Sequence, residues 1–335
     1  MISLILATRQ RFVITDLEDW LDSGIHGILG KSEVFVLLVR DPADRQHNHL
    51  NRLFHPMASL ALELFKETIA QPDGTMNLAR AAMLIALDEY PYLDIQAYLG
   101  RIDGLAKQID NQIDFSMESH SLQVVEEMNR VLFEIEGFCG NKEDYYDPRN
   151  SFLNEVLDRR TGIPITLSVL YVEIGNRLGL RIDGVGMPGH FLTKFFHNGR
   201  PIFVDPFNRG ELLDEAGCRK KLAIIYGEDF VFDPSFLNAV SKSKILSRML
   251  ANLKSIYFGR QDFKKALPIL EKILLLNPNS AVDIRDRGVA HYKLNQLSRA
   301  VSDWSRYLEI NPSAEDREET MKNIHLLGQL LALRN

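Results

Sequence analysis

A chain of 335 residues is long enough for two or three domains, and 45% hydrophobic with 25% charged residues is an ordinary composition for a water-soluble globular protein. With 39 basic against 45 acidic residues and a net charge of −6, there is no basic excess of the kind a general nucleic-acid binder needs. No apolar run reaches the roughly 18 residues of a membrane span, and two cysteines, Cys139 and Cys218, are too few for a disulfide framework. That count fits a reducing compartment, so the expectation is a cytoplasmic protein that binds neither nucleic acid nor membrane.

The N-terminal MISLILATRQRF places its charges after a short apolar run and offers no small-residue cleavage site. It is expected to be mature chain and not a signal peptide. Residues 1–45 form a segment that patterning leaves unassigned. Ser32–Arg40 reads as a strand or a buried helical turn, and Asp41–His49, which crosses the end of this segment, reads as a polar loop. His47 and His49 in that loop have no third ligand at a metal-site spacing. Neither a metal nor a cofactor is expected in this chain.

Residues 46–137 read as a helical domain of about four helices. Met57, Leu60, Ala61, Leu64 and Phe65 fall on one helical face. Asn77 is placed to cap a helix that Pro91 would end, and Leu93–Asp110 and Leu122–Glu136 continue the pattern up to Gly137.

Residues 138–240 form the expected core. Asn150 or Ser151 is predicted to cap a short helix, FLNEVLDRR. Pro164 suits the first position of the apolar helix that follows, because its missing N–H would be unpaired there anyway, and Gly179 stops that helix. Gly184, Gly186 and Gly189 satisfy G-x-G-x-x-G with Asp205 further on, but a dinucleotide site requires a helix after the glycines. Here a β-rich run, Asn198-Gly199 and a second β-rich run follow instead, which is a hairpin signal. His190 then opens one strand and Asp205 closes its partner, so imidazole and carboxylate can meet. His197, seven residues on from His190, is sent to the opposite face by strand alternation.

Residues 241–335 hold a repeat. Pro278 and Pro312, Asn277 and Asn311, and Ala266 and Ala300 are each 34 residues apart. A helix-turn-helix period of this length resembles tetratricopeptide repeats. Two repeats, 247–280 and 281–314, are expected, with a capping helix to about Leu333. In register, Lys254 stands where repeat two has Gly288, Tyr257 matches His291, and Trp304 takes an aromatic position. Two repeats bury little surface alone, so they are expected to dock on the preceding domain.

The stretches D-P-x-N-S-x-L (from Asp147), R-x-G-I-P-I-T-L-S (from Arg160), P-G-H-F (from Pro188) and V-D-P-F (from Val204) together resemble the SirB-type transglutaminase-like proteins of bacteria. The resemblance covers residues 50–335. It implies an α+β fold: a helical N-terminal bundle, a transglutaminase-like (papain-like) core with a small antiparallel sheet, and C-terminal tetratricopeptide helical hairpins. In catalytic relatives of this type a Gly-x-Cys opens the core helix, whose N-terminus stabilises the thiolate. The resemblance puts His190 at the base position, Asp205 at the orienting position, and Pro164 where the cysteine would stand.

That departure shapes the functional expectation. Thr166 and Ser168, two and four residues further along the helix, are the candidate substitute hydroxyls, and Cys139 in its Gly-flanked loop is a candidate thiol. Tyr145, Asp147, Asn150, Asn154, Arg159 and Arg160 precede the helix as candidate cleft residues. The paired arginines read either as an anion site or as a solvated face. The leading expectation is a pseudoenzyme scaffold that binds a protein or peptide partner through its repeats. The alternative is a hydrolase or acyltransferase using His190 and Asp205 with a non-standard nucleophile.

Overall fold

A computed structural model describes residues 2–5, 11–14, 60–113 and 120–333. Ser32–Arg40, His47, His49 and Met57 lie outside the described residues. The first strands, β1 (Ile2–Ile5) and β2 (Arg11–Ile14), pair antiparallel, with Ile2 opposite Ile14.

Among the described residues four helices precede the core: α1 (60–69), α2 (Leu78–Ala86), α3 (Ile95–Asp110) and α4 (His120–Asn129). Asn77 caps α2 by accepting the Arg80 N–H, as its position predicts, and Asp94 caps α3 in the same way from Ala97. Two boundaries differ from expectation. α2 stops at Ala86, short of Pro91, and its carbonyl accepts from both Glu89 and Tyr90 in a closing turn. α4 does not run evenly to Glu136 but widens into a π-helical turn over Arg130–Ile135.

The core begins with β3 (Cys139–Gly140), a short 3₁₀ turn at Pro148–Ser151, α5 (Leu153–Arg159), β4 (Thr161–Gly162) and α6 (Pro164–Arg177). Every residue of α6 from Pro164 to Gly175 is buried. A helix covered on all sides must be packed on all sides: α2, α3, α4, α5 and the sheet surround it. Alanines at 79, 81, 82 and 86 of α2 let these helices approach closely.

The sheet runs β5 (Asp183–Val185), β6 (Leu192–His197), β7 (Arg200–Asp205), β8 (Glu211–Leu213) and, later in the chain, β9 (Ala239–Val240), in the spatial order β8-β7-β6-β5-β9. All its pairings are antiparallel. Asn198 and Gly199 both adopt positive φ (50° and 74°), the conformation a two-residue I′ turn requires. The two edge strands, three and two residues long, are additions to the three strands read from the sequence. They are too short to show an alternating pattern. Between them lies α7 (Glu215–Tyr226).

Five helices close the chain: α8 (Lys242–Gly259), α9 (Phe263–Leu276), α10 (Ala281–Lys293), α11 (Leu297–Ile310) and α12 (Arg317–Ala332). α8 and α9 share the main apolar core with α2 and α6, through residues such as Leu246, Met249, Leu250 and Ile269. The first repeat is therefore continuous with the body of the protein. In the second repeat Trp304 lies against Gly288, where an added Cβ would come within 2.5 Å of the indole ring. Gly288→Ala is accordingly expected to cost about 1–3 kcal/mol by overpacking, measurable as a lower urea midpoint. At the matching position of repeat one, Lys254 instead reaches Asp283 (2.7 Å) and Asp286 (2.9 Å) of α10, tying the two repeats together.

Candidate functional site

The hairpin turn fixes the register of β6 and β7, with Thr193 opposite Val204, and this brings His190 beside Asp205. His190 Nε2 lies 2.9 Å from Asp205 Oδ2. Asp205 is fully buried, and the same oxygen also accepts from Asn208 Nδ2 (2.9 Å) and Lys221 Nζ (2.9 Å). Oδ1 accepts the backbone N–H of Asn208 (3.2 Å), so Asp205 caps the 3₁₀ turn Pro206–Asn208. Burial alone would raise the Asp205 carboxyl. The hydrogen bonds and charges of His190, Lys221 and Asn208 outweigh it and hold the carboxyl well below its ordinary range. A carboxylate at Oδ2 can only accept, which assigns the Nε2 proton to His190 as donor.

No described residue hydrogen-bonds Nδ1. Phe207 stands edge-on to the imidazole (centroids 6.1 Å apart), and Tyr145 stands edge-on to Phe207 at 6.3 Å. Phe207 also packs on Gly140 of β3, where an added Cβ would come within 2.5 Å of its ring. On the opposite side Tyr226 and Ile225, at the end of α7, pack against Gly189. Arg248 of α8 donates to the carbonyls of Met187 (2.9 Å) and His190 (2.8 Å), so the first repeat helix clamps the loop that carries the histidine.

The candidate nucleophiles are all engaged elsewhere. Thr166 Oγ donates to the Asn150 carbonyl (2.7 Å) and accepts the Ile163 N–H (3.2 Å), which closes the opening turn of α6 behind Pro164. Ser168 is fully buried, and its nearest partner is the Phe191 carbonyl at 3.5 Å. Cys139 Sγ faces Thr161 Oγ1 at 3.8 Å across the β3–β4 pair. Strand alternation turns it away from the face that Gly140 offers to Phe207. Cys218 belongs to a separate apolar cluster, and burial pushes its thiol up to about 12. His197 bonds Ser121 (2.9 Å) and Asn198 (3.0 Å), far from the His190 pair.

The polar residues ahead of α6 turn inward to hold their own loop. Neither Asn150 nor Ser151 caps α5: Phe152 occupies that position with no side-chain cap, and Asp147 instead caps the 3₁₀ turn. Asn150 donates to the Asp144 carbonyl (2.7 Å) and accepts from Asn141 (3.2 Å). Arg159 reaches Asp147 (3.5 Å), and Arg160, in the left-handed conformation at the end of α5, pairs with Glu136 (2.7 Å) and covers the Phe138 ring. The two arginines are thus neither an open anion site nor a solvated face, because carboxylates on adjoining segments take up their charge. Asn154 is buried with its Oδ1 unpartnered among the described residues. Of the sequence-predicted residues, the fold gathers His190, Asp205 and Tyr145 around Phe207.

Lys221, Asn208, Arg248 and Phe207 complete this site: Phe207 ends the V-D-P-F stretch, Asn208 three residues after Asp205 is an Asx-type capping spacing, and Lys221 and Arg248 carried no sequence signal. Lys221 and Arg248 come from helices 16 and 43 residues beyond Asp205.

Comparison with known proteins agrees with this architecture. Residues 96–251 match the profile described as Transglutaminase-like superfamily, and residues 253–325 match a tetratricopeptide-repeat profile. A "UPF0162 protein" of Xylella fastidiosa is 37% identical over 262 residues, covering 77% of this chain and 92% of that one. The chain belongs to the SirB-type transglutaminase-like family. "Protein SirB1" of Salmonella typhimurium is 26% identical over 240 residues, covering 69% of this chain and 84% of the relative. The chain is also similar to part of human "F-box only protein 21", 28% identical over 221 residues, 62% of this chain but 31% of that longer protein. In this chain α6 opens with Pro164, and His190 and Asp205 stand 2.9 Å apart. Among the described residues, no helix is long and apolar enough to cross a membrane, and no cluster of three metal-ligating side chains is present.

Proposed function

We propose that this family member is a non-catalytic transglutaminase-like scaffold of the cytoplasm that works by protein–protein contact through its tetratricopeptide repeats. One observation carries the reading: the hydroxyls and thiols that the sequence offers as nucleophiles, on Thr166, Ser168, Cys139 and Cys218, are each spent on another partner or sealed in an apolar cluster. A base with no nucleophile at hydrogen-bond distance cannot start acyl transfer. The His190–Asp205–Lys221 network then serves to fasten the sheet to α7, and the repeats offer the paired-helix surface that suits a peptide or helix of a partner.

The test uses the full chain. Peptide-amide hydrolysis and amine incorporation are expected to stay at the buffer rate, with the wild type and His190→Ala indistinguishable. Partner capture is expected to survive His190→Ala and to fall with Lys254→Glu, which breaks the inter-repeat bridge. Turnover that disappears in His190→Ala would instead make the protein a hydrolase or acyltransferase with an unconventional nucleophile.

A further inference from the structure

Arg248 of α8 is half-buried against the loop that carries His190. Its guanidinium donates to the Met187 and His190 carbonyls and lies over the Phe191 ring, 5.5 Å from the centroid. Those two bonds need N–H donors but no charge. A guanidinium has five donors, so three remain, and no described residue accepts from them. The positive charge is also unmatched among the described residues. The ionisable groups that act on it are the phenols of Tyr145 and Tyr226, with no carboxylate among them, and burial holds the guanidinium below its ordinary pKa. Asp205, the carboxylate of this site, is already matched to His190 and Lys221.

The two phenols stand close by. Tyr226, the last residue of α7, places its hydroxyl over Gly189, where an added Cβ would meet it at 2.8 Å. The loop of Tyr145 and Tyr146 is fastened beside α8 by Arg260, which donates to the Tyr146 carbonyl (3.1 Å). Neither the Tyr145 nor the Tyr226 hydroxyl has a hydrogen-bond partner among the described residues, and the two side chains reach solvent, at 38% and 48% exposure.

A partly desolvated cation without an anion costs free energy that a bound anion recovers. The surplus is a single positive charge, which a monoanion balances and a phosphate dianion overshoots. A carboxylate has the matching shape as well: its two oxygens accept side by side from the planar guanidinium, and their remaining lone pairs can accept from hydroxyls. The aromatic rings of the two tyrosines suit an apolar group next to that carboxylate.

We propose that Arg248, together with the hydroxyls of Tyr145 and Tyr226, is a binding site for a carboxylate that carries an apolar neighbour. A small carboxylic acid and the C-terminal end of a polypeptide both offer this chemistry. The proposal goes beyond the interaction reading and does not rest on it.

The test is an NMR titration of the full chain with labelled tyrosine rings, in which the Tyr145 and Tyr226 signals are identified by their loss in Tyr145→Phe and Tyr226→Phe. The probes are N-acetyl-leucine, N-acetyl-leucinamide, inorganic phosphate and an acetylated pentapeptide of four glycines ending in a free leucine carboxylate. N-acetyl-leucine is expected to shift both rings saturably, with the amide and phosphate at least about tenfold weaker. Equal affinity for the pentapeptide identifies a small acid as sufficient, and affinity at least about tenfold tighter identifies a polypeptide end. Arg248→Lys keeps a cation but loses the planar fork, and it should weaken binding about tenfold or more. Each phenylalanine variant removes only an unpartnered hydroxyl, so it keeps the fold, and binding read at the other tyrosine should weaken about tenfold, the value of one charge-assisted hydrogen bond. Equal shifts from the amide, tighter binding of phosphate, no shift with any probe, or wild-type affinity in the phenylalanine variants would overturn the site. None of these results touches the scaffold reading, which is judged by turnover at His190 and by partner capture in Lys254→Glu.

Discussion

Asp205→Ala is expected to destabilise the protein by about 3–5 kcal/mol, because it leaves buried polar partners without their anion. Lys221 would keep only Glu211, a half-exposed carboxylate 2.7 Å away, and His190 would lose the acceptor that orients its ring. The Asn208 N–H and amide would lose theirs as well. Asp205→Asn keeps the shape and part of the hydrogen bonding, and it should cost less, about 1–3 kcal/mol. The pH dependence distinguishes this account from simple loss of packing. A carboxyl held below its unfolded value contributes stability that is fully present above that value, near 3.9, and is lost as pH falls through the folded value. Urea midpoints of the wild type should therefore drop steeply below about pH 4, while Asp205→Asn, already lower at pH 7, should show a shallower acid limb. Parallel acid limbs in the two proteins would remove Asp205 as the source of that stability.

Lys272→Ala is expected to have an effect of similar size, about 3–5 kcal/mol, by a different route. Lys272 is 1% exposed in α9, and its ammonium is matched to Asp88 in the turn that closes α2. Removing the cation leaves a buried carboxylate between the helical region and the first repeat. Burial already raises the Asp88 carboxyl, against the opposing pull of Lys272. In the variant that pull is gone and the group is raised further. A raised acid contributes stability when protonated and loses it as pH climbs, so the variant's deficit should be smaller at pH 5 than at pH 7.5. Replacing both partners by apolar residues of similar volume, as in Asp88→Leu with Lys272→Met, should recover most of the loss, since the pair's own net contribution is small once desolvation is counted. Guanidinium or urea unfolding of the two single variants and the double variant measures this as a double-mutant cycle.

Local pattern predicted much of this molecule. The cap at Asn77, the I′ turn at Asn198-Gly199 and the 34-residue spacing of the repeats follow from rules that act over a few residues or a fixed period, and so does the meeting of His190 with Asp205, although His190 lies in the loop two residues ahead of β6 and does not open that strand. Other features had no short-range expression. The edge strands β8 and β9 are two or three residues long, and they exist because β7 and β5 present open edges to pair with. Arg159 and Arg160, adjacent in the chain and alike in charge, are drawn to different carboxylates, Asp147 and Glu136, that only the folded loop brings near. Thr166, a candidate nucleophile by position, is drawn into closing its own helix turn, because the Asn150 carbonyl of a neighbouring loop arrives at its hydroxyl.

The sequence by itself determined the family frame and the start of α6: Pro164 is a good first residue for that helix and is unable to be a nucleophile. It also determined that His190 and Asp205 would pair, since a two-residue turn leaves a hairpin almost no freedom of register. Only the tertiary structure decided what surrounds that pair. Lys221, Phe207 and Arg248 reach it from separate elements, and the hydroxyls and thiols that were candidates face other partners. Which side chains meet across distant segments is set by how helices and sheet bury their faces together, and a linear pattern of a few residues does not encode that packing.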